Sequence, residues 1–388
     1  MTGFMAYASL CFWISMMLLS YTYVGYPLLI RLWGGLKRRE PVTGWMQPKV
    51  TLVVVAYNES RRIKQRLENF LDLDYPWDHM EVIVASDGST DGTAAKARAY
   101  ASEQVTVVEF KQRRGKSAVL NDVMRMASGE IVVLADARQK FETGALKALV
   151  ACFADPKVGA VSGELVLLDS TGRGSEVGKG VDFYWRYEKF MRLHESRIDS
   201  TVGVTGAIYA LRRKLFQPIP ESLILDDVLI PMQAVRQGYR VLFEPRARAY
   251  DWVATNAQQE FTRKLRTIAG NYQLFFLKPW LLNPFMNRLW LQTVSHKLFR
   301  LLSPICLVLA FVASLALARD AGIFRALFVL QLLFYGAAAL GYFTRHAARK
   351  PFFLNIPYAF CLLNWATVMA LVHLLNGRQQ VTWERTAG

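Results

Sequence analysis

The chain is poor in the side chains that most often bind metals or form covalent cross-links. Its 388 residues include only four cysteines and five histidines. The cysteines are far apart, at Cys11, Cys152, Cys306 and Cys361, and three of them lie in apolar segments. The histidines show no ligand spacing such as His-x-x-x-His. The sequence therefore contains no disulfide framework and no cysteine- or histidine-based metal site.

Acidic residues are also scarce. The 31 Asp and Glu face 47 Lys and Arg, which gives a formal net charge of +16 and a pI of about 9.7. The chain is nevertheless 53% hydrophobic. A nucleic-acid binder concentrates its cations on a polar domain, whereas here Lys and Arg also flank apolar runs. The composition favours a membrane protein with a basic cytoplasmic side, and it argues against nucleic acid as a partner.

Four apolar stretches are long enough to meet a bilayer. In chain order they are about Phe4–Trp33, Leu301–Ala318, Ile323–Phe343 and Phe352–Leu375. The first is too long for a signal peptide and has no basic start, so residues 1–36 are predicted to be a retained anchor. The cluster Lys37-Arg38-Arg39 places its C-terminal end in the cytoplasm. We expect a multi-pass protein of the cell (inner) membrane whose central domain is cytoplasmic.

The topology of residues 301–376 has two alternatives. This region holds about three transmembrane or re-entrant segments, and the last contains Pro357. Three full crossings would leave the basic loop at 345–350 inside and the tail at 377–388 outside. If the last segment dips in and returns at Pro357, the tail stays inside. Both arrangements stay open at this stage.

Residues 48–255 alternate predicted strands with amphipathic helices. The strands are expected at 50–57, 81–86, 105–110 and 131–136. Apolar strands buried on both faces and separated by helices indicate an α/β domain with a Rossmann-like, mainly parallel sheet. Ligands bind such sheets at the carboxyl ends of the strands. That rule selects residues 57–59, residues 87–89, the loop at 113–116, and Asp136.

Residues 256–300 are basic and are predicted to form interfacial helices. Between residues 287 and 302, apolar positions alternate with Arg288, His296, Lys297 and Arg300. This pattern is typical of an amphipathic helix that lies in the plane of the lipid headgroups. An ordinary surface helix is the alternative.

Taken one at a time, the polar segments after the strands do not distinguish a nucleotide site from a structural turn or a solvated loop. The sequence SDGSTDGT at 86–93 can hold a nucleotide on the backbone N–H groups of a helix start. It can equally be a turn in which Asp91 or Thr93 caps the helix. The cationic loop RRGK at 113–116 suits a polyphosphate, but such loops are often only solvated.

In combination these motifs are specific. VVVAYNES, SDGSTDGT, RRGKSAVLN and GEIVVLADA follow one another between residues 53 and 137. VTGAIYALRRKLF, ILDDVLIPMQAVRQGYRVLFEPRARAYD and an Arg-x-x-Arg stretch continue the series to about residue 270. The set resembles the catalytic domain of glycosyltransferase family 2. With its membrane segments, the chain is similar to the branch that includes the hyaluronan, cellulose and poly-N-acetylglucosamine synthases. The resemblance implies a GT-A fold with added transmembrane helices.

The resemblance also implies a donor site for a UDP-sugar. The residues that match the family's nucleotide, diphosphate and metal positions are Ala56, Tyr57, Glu59, Asp87, Lys116, Asp136, Arg263 and Arg266. Asp136 matches the first Asp of the motif that holds the metal and the diphosphate. Arg263 and Arg266 share a helix face at spacing i, i+3. Without the resemblance they would be interpreted as headgroup contacts; with it, diphosphate contacts are favoured.

The resemblance implies that the acid–base step of sugar transfer takes place at the pair Asp226 and Asp227. Asp227 matches the general base, and Gly206 matches the turn beneath the acceptor sugar. One carboxylate base with in-line displacement inverts the anomeric centre, while positive charge stabilises the departing diphosphate. Asp226 is expected to act structurally or at a helix N-terminus. Helix capping by both acids is the alternative.

Three residues depart from the family's pattern. Ser86 precedes Asp87 where many relatives have another Asp. Thr267 replaces the Trp of Arg-x-x-Arg-Trp, which removes an aromatic platform expected beside the acceptor. Trp383, in the tail, could substitute only if that tail is cytoplasmic. Arg138 stands where the second Asp of an Asp-x-Asp pair is expected, and a guanidinium group cannot be a metal ligand.

With Arg138 in place of the second Asp, the negative charge of the donor diphosphate can be neutralised in two ways. In the first, Asp136 holds Mg²⁺ or Mn²⁺ together with diphosphate and water, more loosely than two carboxylates would, and Arg138 turns to phosphate or to a neighbouring acid. In the second, Arg138 joins the nucleotide-sugar site and itself pairs with phosphate oxygens.

Three functions are compatible with the sequence. The first is an inverting, membrane-bound hexosyltransferase that moves a sugar from a UDP-sugar to a growing polysaccharide of the exo- or capsular type. The second transfers a single sugar to a membrane lipid such as a polyprenyl phosphate or a ceramide-like acceptor. The third is an inactive nucleotide-binding membrane scaffold. Four membrane segments are few for a polymer channel, so a homo-oligomer or an accessory secretion subunit is expected to complete the first.

Overall fold

A sheet of eight strands organises the part of the chain that this computed structural model describes, residues 2–168, 179–252, 257–319, 322–344 and 352–377. The strands are β1 (Val50–Ala56), β2 (Met80–Asp87), β3 (Val105–Phe110), β4 (Ile131–Ala135), β5 (Lys140–Phe141), β6 (Val158–Leu168), β7 (Ile208–Arg212) and β8 (Arg240–Trp252). The helices are α1 (Thr2–Ser20), α2 (Tyr26–Leu36), α3 (Ile63–Leu71), α4 (Thr93–Arg98), α5 (Lys116–Met126), α6 (Ala145–Ala151), α7 (Lys179–Ile198), α8 (Asp226–Arg236), α9 (Ala257–Leu277), α10 (Trp290–Thr293), α11 (Phe299–Leu317), α12 (Gly322–Phe343) and α13 (Phe352–Leu375).

The sheet is parallel at one end and mixed at the other. Its strand order is β3-β2-β1-β4-β7-β6-β8-β5. The pairs β3–β2, β2–β1, β1–β4 and β6–β8 are parallel, whereas β7 runs antiparallel to both β4 and β6, and β5 runs antiparallel to β8. The predicted α/β domain with a mainly parallel sheet is therefore confirmed, with reversals at β7 and β5.

Helices cover both faces of the sheet, which is why its central strands are continuous apolar runs. Every residue of β4 is buried. One core cluster packs α3 and α6 against the sheet, and the other packs α5 and α8 against the opposite face. The amphipathic helices predicted between the strands are present as α3, α4 and α5.

The parallel strands bring the predicted site residues to one edge. Ala56 on β1 is in register with Ser86 on β2, and Val54 is in register with Ala135 on β4. The loops that follow β1, β2 and β4 therefore leave the sheet side by side. They carry Tyr57, Asp87 and Asp136 to the same place.

Four helices of the described part are long and apolar enough to cross a membrane. In the first, α1 continues through a π-helical turn (Tyr21–Gly25) into α2, so that it spans Gly3–Leu36. The second spans Trp290–Leu317, and the other two are α12 and α13. Phe12 of α1 packs on Ala310 of α11 and on Phe324 of α12. Many other apolar side chains on these helices are exposed, as lipid-facing surfaces require.

The fourth apolar segment is one unbroken helix. Helix α13 runs through Pro357 without a turn, so the chain does not reverse direction there. The re-entrant alternative for this segment is not what the structure has. The basic loop at 345–350 and the tail from residue 378, with Trp383, lie outside the described residues.

Residues 287–302 differ from the expected headgroup-plane helix. Helix α10, a π-helical turn (Val294–Leu298) and α11 form one continuous helix that enters the second apolar span. Its polar residues face protein: Arg288 pairs with Asp199 at 3.2 Å, and the His296 side chain is 1% exposed. The amphipathic pattern is therefore present, but Arg288 and His296 on its polar face contact the α/β domain and α7.

A buried polar cluster joins this helix to α7 and to the first span. His296 lies between two glutamates of α7, with Nδ1 2.9 Å from Glu195 and Nε2 3.1 Å from Glu188. Glu195 also accepts a hydrogen bond from the Tyr26 hydroxyl at 2.8 Å, and Arg300 pairs with Glu188. Buried carboxylates are stable only when paired in this way. The cluster therefore links α7 to the first and second apolar spans.

Candidate active site

The loops after β1 and β2 are tied together by hydrogen bonds. The Asn58 backbone N–H donates to Ser89 Oγ at 3.1 Å, and Asn58 Oδ1 accepts from the Thr90 N–H at 2.8 Å. The Glu59 N–H donates to Thr93 Oγ1 at 2.9 Å. The motif SDGSTDGT therefore acts partly as a structural turn, as its alternative interpretation allowed. It also holds the loop after β1 in place.

Asp87 anchors the cationic loop that follows β3. Its two carboxylate oxygens accept hydrogen bonds from the Arg114 and Gly115 backbone N–H groups, at 2.6 and 2.8 Å. Next to it, Gly88 has φ +66°, and a Cβ there would lie 2.5 Å from the Arg113 backbone nitrogen. Only glycine allows this close approach. The loop is thus built around Asp87 and is not merely solvated.

Arg113 and Tyr57 form a stacked pair above these loops. The guanidinium carbon of Arg113 lies 3.7 Å from the centre of the Tyr57 ring, a cation–π contact. Its buried Nη2 has no hydrogen-bond partner among the described residues. A buried donor without an acceptor is costly, so this group is suited to an incoming anion. Ala56 lies beneath, at the buried end of β1.

Lys116 is the central cation of the site. At the start of α5, its Nζ lies 3.2 Å from Asp136 Oδ1 and 3.2 Å from Asp226 Oδ2. Although burial opposes its charge, the carboxylates of Asp136, Asp226 and Asp227 raise the pKa of Lys116. The lysine therefore stays protonated and holds the end of β4 against the start of α8.

Arg138 is turned away from the centre toward an acid on β8. Its Nη2 lies 2.6 Å from Asp251 Oδ2, and Gln139 donates to the same oxygen at 3.0 Å. Burial raises the pKa of Asp251, and Arg138 opposes that rise. Of the expectations for Arg138, the one that pairs it with a neighbouring acid matches this structure.

Arg66 supports the same loop and was not among the residues predicted from the sequence. The side chain, 2% exposed, is sandwiched between Phe70 and Phe141 with its guanidinium carbon 4.2 and 4.0 Å from their ring centres. It donates to the Gln139 carbonyl at 2.8 Å. Burial lowers the pKa of Arg66, while the nearby Asp136 raises it. A buried arginine within a helix pattern resembles any solvated one in sequence.

Asp227 is a largely buried carboxylate with a raised pKa. Burial and the adjacent Asp226 carboxylate raise its pKa to about 6, while Lys116 opposes the rise. A Cβ built on Gly206 would lie 3.5 Å from Asp227 Oδ2 and 3.8 Å from Lys116 Nζ, so this glycine lies beside both side chains. The Val204 N–H donates to the Asp227 carbonyl at 2.9 Å and fixes that turn. Both aspartates lie in the first turn of α8, but they have different partners.

The arginines of α9 approach the same acids. Burial lowers the pKa of Arg266, and the carboxylates of Asp226, Asp136 and Asp227 counter that effect. Arg263, one turn earlier, acts electrostatically on Asp251. Arg266 is therefore the member of the pair that reaches the centre, and Arg263 lies toward the Arg138 side.

A divalent cation fits this site only with ligands supplied by a substrate. In the described residues no group of three Asp, Glu, His or Cys side chains could hold a metal ion. Asp136 is 27% exposed, and one of its oxygens contacts Lys116. Its carboxylate would have to be completed by diphosphate oxygens and water, which hard cations accept. The residues thus suit a metal bound together with a nucleotide diphosphate.

The sequence alone also missed Tyr209, Arg192 and Lys297. The Tyr209 hydroxyl is buried without a hydrogen-bond partner among the described residues, and the site acids act on it electrostatically. Arg192 on α7 and Lys297 in the π-helical turn both act on Asp227. Arg192 and Lys297 come from segments that the motifs do not include, whereas Tyr209 lies within VTGAIYALRRKLF but matches none of the predicted site positions.

Comparison with known proteins agrees with this geometry. Residues 48–270, which contain all of the predicted site residues, match the family model described as glycosyltransferase like family 2. The chain belongs to this family. The family's catalytic region thus coincides with the sheet and with α9.

Two curated relatives are poly-beta-1,6-N-acetyl-D-glucosamine synthases, from Staphylococcus aureus (strain COL) and Staphylococcus epidermidis. They are 24% and 23% identical to this chain over 231 and 237 residues. The matches cover 58% and 60% of this chain and 55% and 56% of those proteins. The chain therefore spans about half the length of the curated relatives it matches.

A solved structure resembles nearly the whole chain. It is the mannosyltransferase PcManGT from Pyrobaculum calidifontis in complex with GDP-Man and Mn²⁺. The two are 26% identical, with a TM-score of 0.70, and the match covers 94% of this chain and 99% of that one. The expected GT-A fold of the family is thereby confirmed, together with the apolar helices of a membrane protein.

Substituting Gly88 by alanine tests the close approach between the two loops. Gly88 and Gly92 both have positive φ, at +66° and +84°, but a Cβ at Gly92 meets nothing within 4 Å. Gly92→Ala should therefore cost only the backbone strain, about 1 kcal/mol. Gly88→Ala should cost about 1–3 kcal/mol more, because the Cβ collides with backbone. Thermal unfolding of the two detergent-solubilised variants measures the difference, and equal losses would contradict the account.

Proposed function

We propose that the protein is an inverting, membrane-bound hexosyltransferase that uses a UDP-sugar and extends a polysaccharide of the exo- or capsular type. The observation that carries this proposal is the environment of Asp227. A largely buried carboxylate with a raised pKa lies beside Gly206, at a point that is also close to the Lys116 ammonium group. We place this catalytic domain on the cytoplasmic side of the inner membrane, because Lys37, Arg38 and Arg39 follow the first span.

Asp227 acts as the base that accepts the proton of the attacking hydroxyl. A base works best when its pKa is near the working pH, and a pKa of about 6 meets that need better than that of an ordinary aspartate. The hydroxyl attacks the anomeric carbon as the bond to the diphosphate breaks. A single displacement of this kind inverts the configuration, since no carboxylate forms a covalent intermediate.

The leaving diphosphate is stabilised by cations that the fold has already placed. Lys116 is fixed between Asp136 and Asp226, Arg266 approaches from α9, and Arg113 presents a buried donor. Fixed positive charge in a partly dry site costs no reorganisation during the reaction. A bound Mg²⁺ or Mn²⁺, held by Asp136, would add further charge neutralisation. Tyr57, Glu59 and Asp87 are assigned to the nucleoside end, with Arg263 and Arg138 beyond the diphosphate.

The acceptor has two candidates. The printed names of the Staphylococcus relatives describe synthesis of a polymer of N-acetylglucosamine, which favours a saccharide acceptor for this chain too. Transfer of one sugar to a lipid is the second candidate, because Thr267 supplies no aromatic platform and four spans are few for a polymer channel. A homo-oligomer or an accessory secretion subunit would complete the channel in the first case.

Sugar transfer by the full chain in isolated membranes tests the proposal. UDP-glucose, UDP-N-acetylglucosamine and GDP-mannose are offered separately, and nucleotide release and product length are followed. A UDP-sugar should be used, and a long product would establish polymerisation. Asp227→Asn should lower transfer by about 100- to 10,000-fold while UDP binding persists, because only the base is lost. Unchanged cellular function of Asp227→Asn would instead support a nucleotide-binding scaffold, and preference for GDP-mannose would refute the UDP donor.

The pH dependence of kcat/KM should report the Asp227 carboxyl group. The base must be deprotonated, so the rate should fall by about tenfold per pH unit as the pH drops below about 6. Asp226→Asn removes a neighbouring negative charge that raises this pKa, so its acid limb should move to lower pH. Asp78→Asn, an exposed acid far from the site, serves as the control. An acid limb that Asp226→Asn leaves in place would contradict the assignment.

Chelation tests the one-carboxylate metal site. Transfer should stop after treatment with a chelator and return on addition of Mn²⁺ or Mg²⁺. Direct binding of Mn²⁺, followed by its electron paramagnetic resonance signal, should be weak alone and at least about tenfold tighter with UDP, since the diphosphate completes the ligand set. Asp136→Asn should abolish the UDP-dependent increase. Full transfer in the presence of chelator would show that the protein's own cations suffice.

A further inference from the structure

The carboxylate of Asp136 is engaged by a lysine in this structure. Its Oδ1 accepts a hydrogen bond from the Lys116 ammonium group at 3.2 Å. Within the described part of the chain, this is the one hydrogen bond or ion pair that Asp136 makes. A divalent cation bound to the same oxygen, at about 2.0–2.6 Å, would lie within about 6 Å of the ammonium nitrogen. The two positive charges repel at that distance, so the lysine and a metal compete for Asp136.

The lysine has a second acceptor within reach. Its Nζ also lies 3.2 Å from Asp226 Oδ2, in an ion pair. This oxygen is buried and accepts no hydrogen bond from any described residue, whereas the ammonium group donates to Asp136. A buried oxygen without a donor is unfavourable. A small rotation of the ammonium group away from Asp136 would give Asp226 the donor that it lacks.

The backbone at Lys116 is fixed, because α5 is fastened to the segment that precedes α8. The Ser117 hydroxyl and the Asn121 amide each donate to a backbone carbonyl of residues 219–223, both at 2.8 Å. Asn121 Oδ1 also accepts a backbone N–H of this segment at 2.9 Å. Both side chains are buried. The rotation therefore needs only the side chain of Lys116, which stays within reach of Asp226.

The contact between Lys116 and Asp136 is the more accessible of the two. The Asp136 side chain is 27% exposed, against 8% for that of Asp226. An anion that enters the site therefore meets the ammonium group on the Asp136 side. A diphosphate carries about two to three negative charges, so it attracts the lysine and offsets the repulsion between the lysine and a divalent cation.

We propose that Lys116 is a gate on the metal site. Without nucleotide, its ammonium group occupies the Asp136 oxygen and keeps a divalent cation weakly bound. The donor diphosphate draws the ammonium group toward itself and Asp226, which leaves Asp136 to the cation. Metal and donor are thereby made to bind together. This inference rests on the proposed function, whose diphosphate and metal it uses, and it adds the regulation of the same site.

Binding of Mn²⁺ to the detergent-solubilised full chain, followed by electron paramagnetic resonance, tests the gate without any sugar transfer. Lys116→Met should bind Mn²⁺ alone at least about tenfold tighter than the wild type, because the competing charge is gone. The factor by which UDP tightens Mn²⁺ binding should shrink by at least as much. Lys116→Arg keeps the charge and should keep Mn²⁺ alone weakly bound. Unchanged Mn²⁺ affinity in Lys116→Met would overturn the proposal, because the lysine would then serve the diphosphate only.

A double variant shows whether the effect acts through Asp136. Lys116→Met combined with Asp136→Asn should lose the gain in Mn²⁺ affinity, since Asp136 is the ligand that the lysine covers. A gain that persists in this double variant would place the metal on other acids and refute the gate. Lys49→Met removes an exposed lysine at the opposite edge of the sheet, and as the matched control it should behave like the wild type.

A second double variant keeps the test valid if Lys116→Met alone does not fold. Lys116→Met combined with Asp226→Asn removes a buried acid together with its partner, so it leaves no broken ion pair. It should bind Mn²⁺ alone at least about tenfold tighter than the wild type. Wild-type affinity in this variant would contradict the proposal as directly as it would in the single variant.

The nucleotide that tightens Mn²⁺ binding identifies the trigger. UDP and uridine are compared in the wild type, and Asp136→Asn measures the Mn²⁺ that UDP holds in solution. Above that background, UDP should tighten binding at least about tenfold, and uridine should not, because it brings no phosphate to Lys116. Equal tightening by uridine would show that the diphosphate is not what opens the site, against the proposal.

These outcomes are separate from those that test the proposed function. If the variants behave as expected but no UDP-sugar is consumed, the gate stands and the proposed function fails. If a UDP-sugar is transferred while Lys116→Met binds Mn²⁺ no more tightly than the wild type, the function stands and the gate fails.

Discussion

The Lys116 ammonium group, held between Asp136 and Asp226, is the contact on which the site depends. It joins the end of β4, the start of α5 and the first turn of α8, which are distant in sequence. The three acids keep this buried lysine charged. Because the lysine neutralises Asp226 and one side of Asp136, a negative nucleotide can approach acids that would otherwise repel it.

Two adjacent aspartates thereby acquire different roles from their surroundings. Asp226 pairs with Lys116, whereas Asp227 has a raised pKa and lies beside Gly206. The charge of Arg266 on α9 acts on both aspartates, and that of Lys297 acts on Asp227. The buried cluster around His296, the residue before Lys297, links α7 to the first and second apolar spans.

The sheet and the strand-end acids could be predicted because their signals are local. A buried strand followed by Asp136, or a glycine-rich turn after Asp87, is visible within ten residues. Arg138 could not be placed, since its partner Asp251 is more than one hundred positions away. The polar face of residues 287–302 was assigned to headgroups because an amphipathic pattern shows polarity, not what covers it. Arg66 and Lys297 were missed for the same reason, because only tertiary packing separates them from solvated cations.

The anomeric configuration of the first product tests the central claim most directly. The proposed mechanism has one base at Asp227 and fixed positive charge at Lys116 for the leaving diphosphate, which is a single displacement. Proton NMR of the product formed from an α-linked UDP-sugar, recorded before any anomeric exchange, should show a β linkage. A product that retains the α configuration would require a covalent or front-face route, and it would contradict this account of the site.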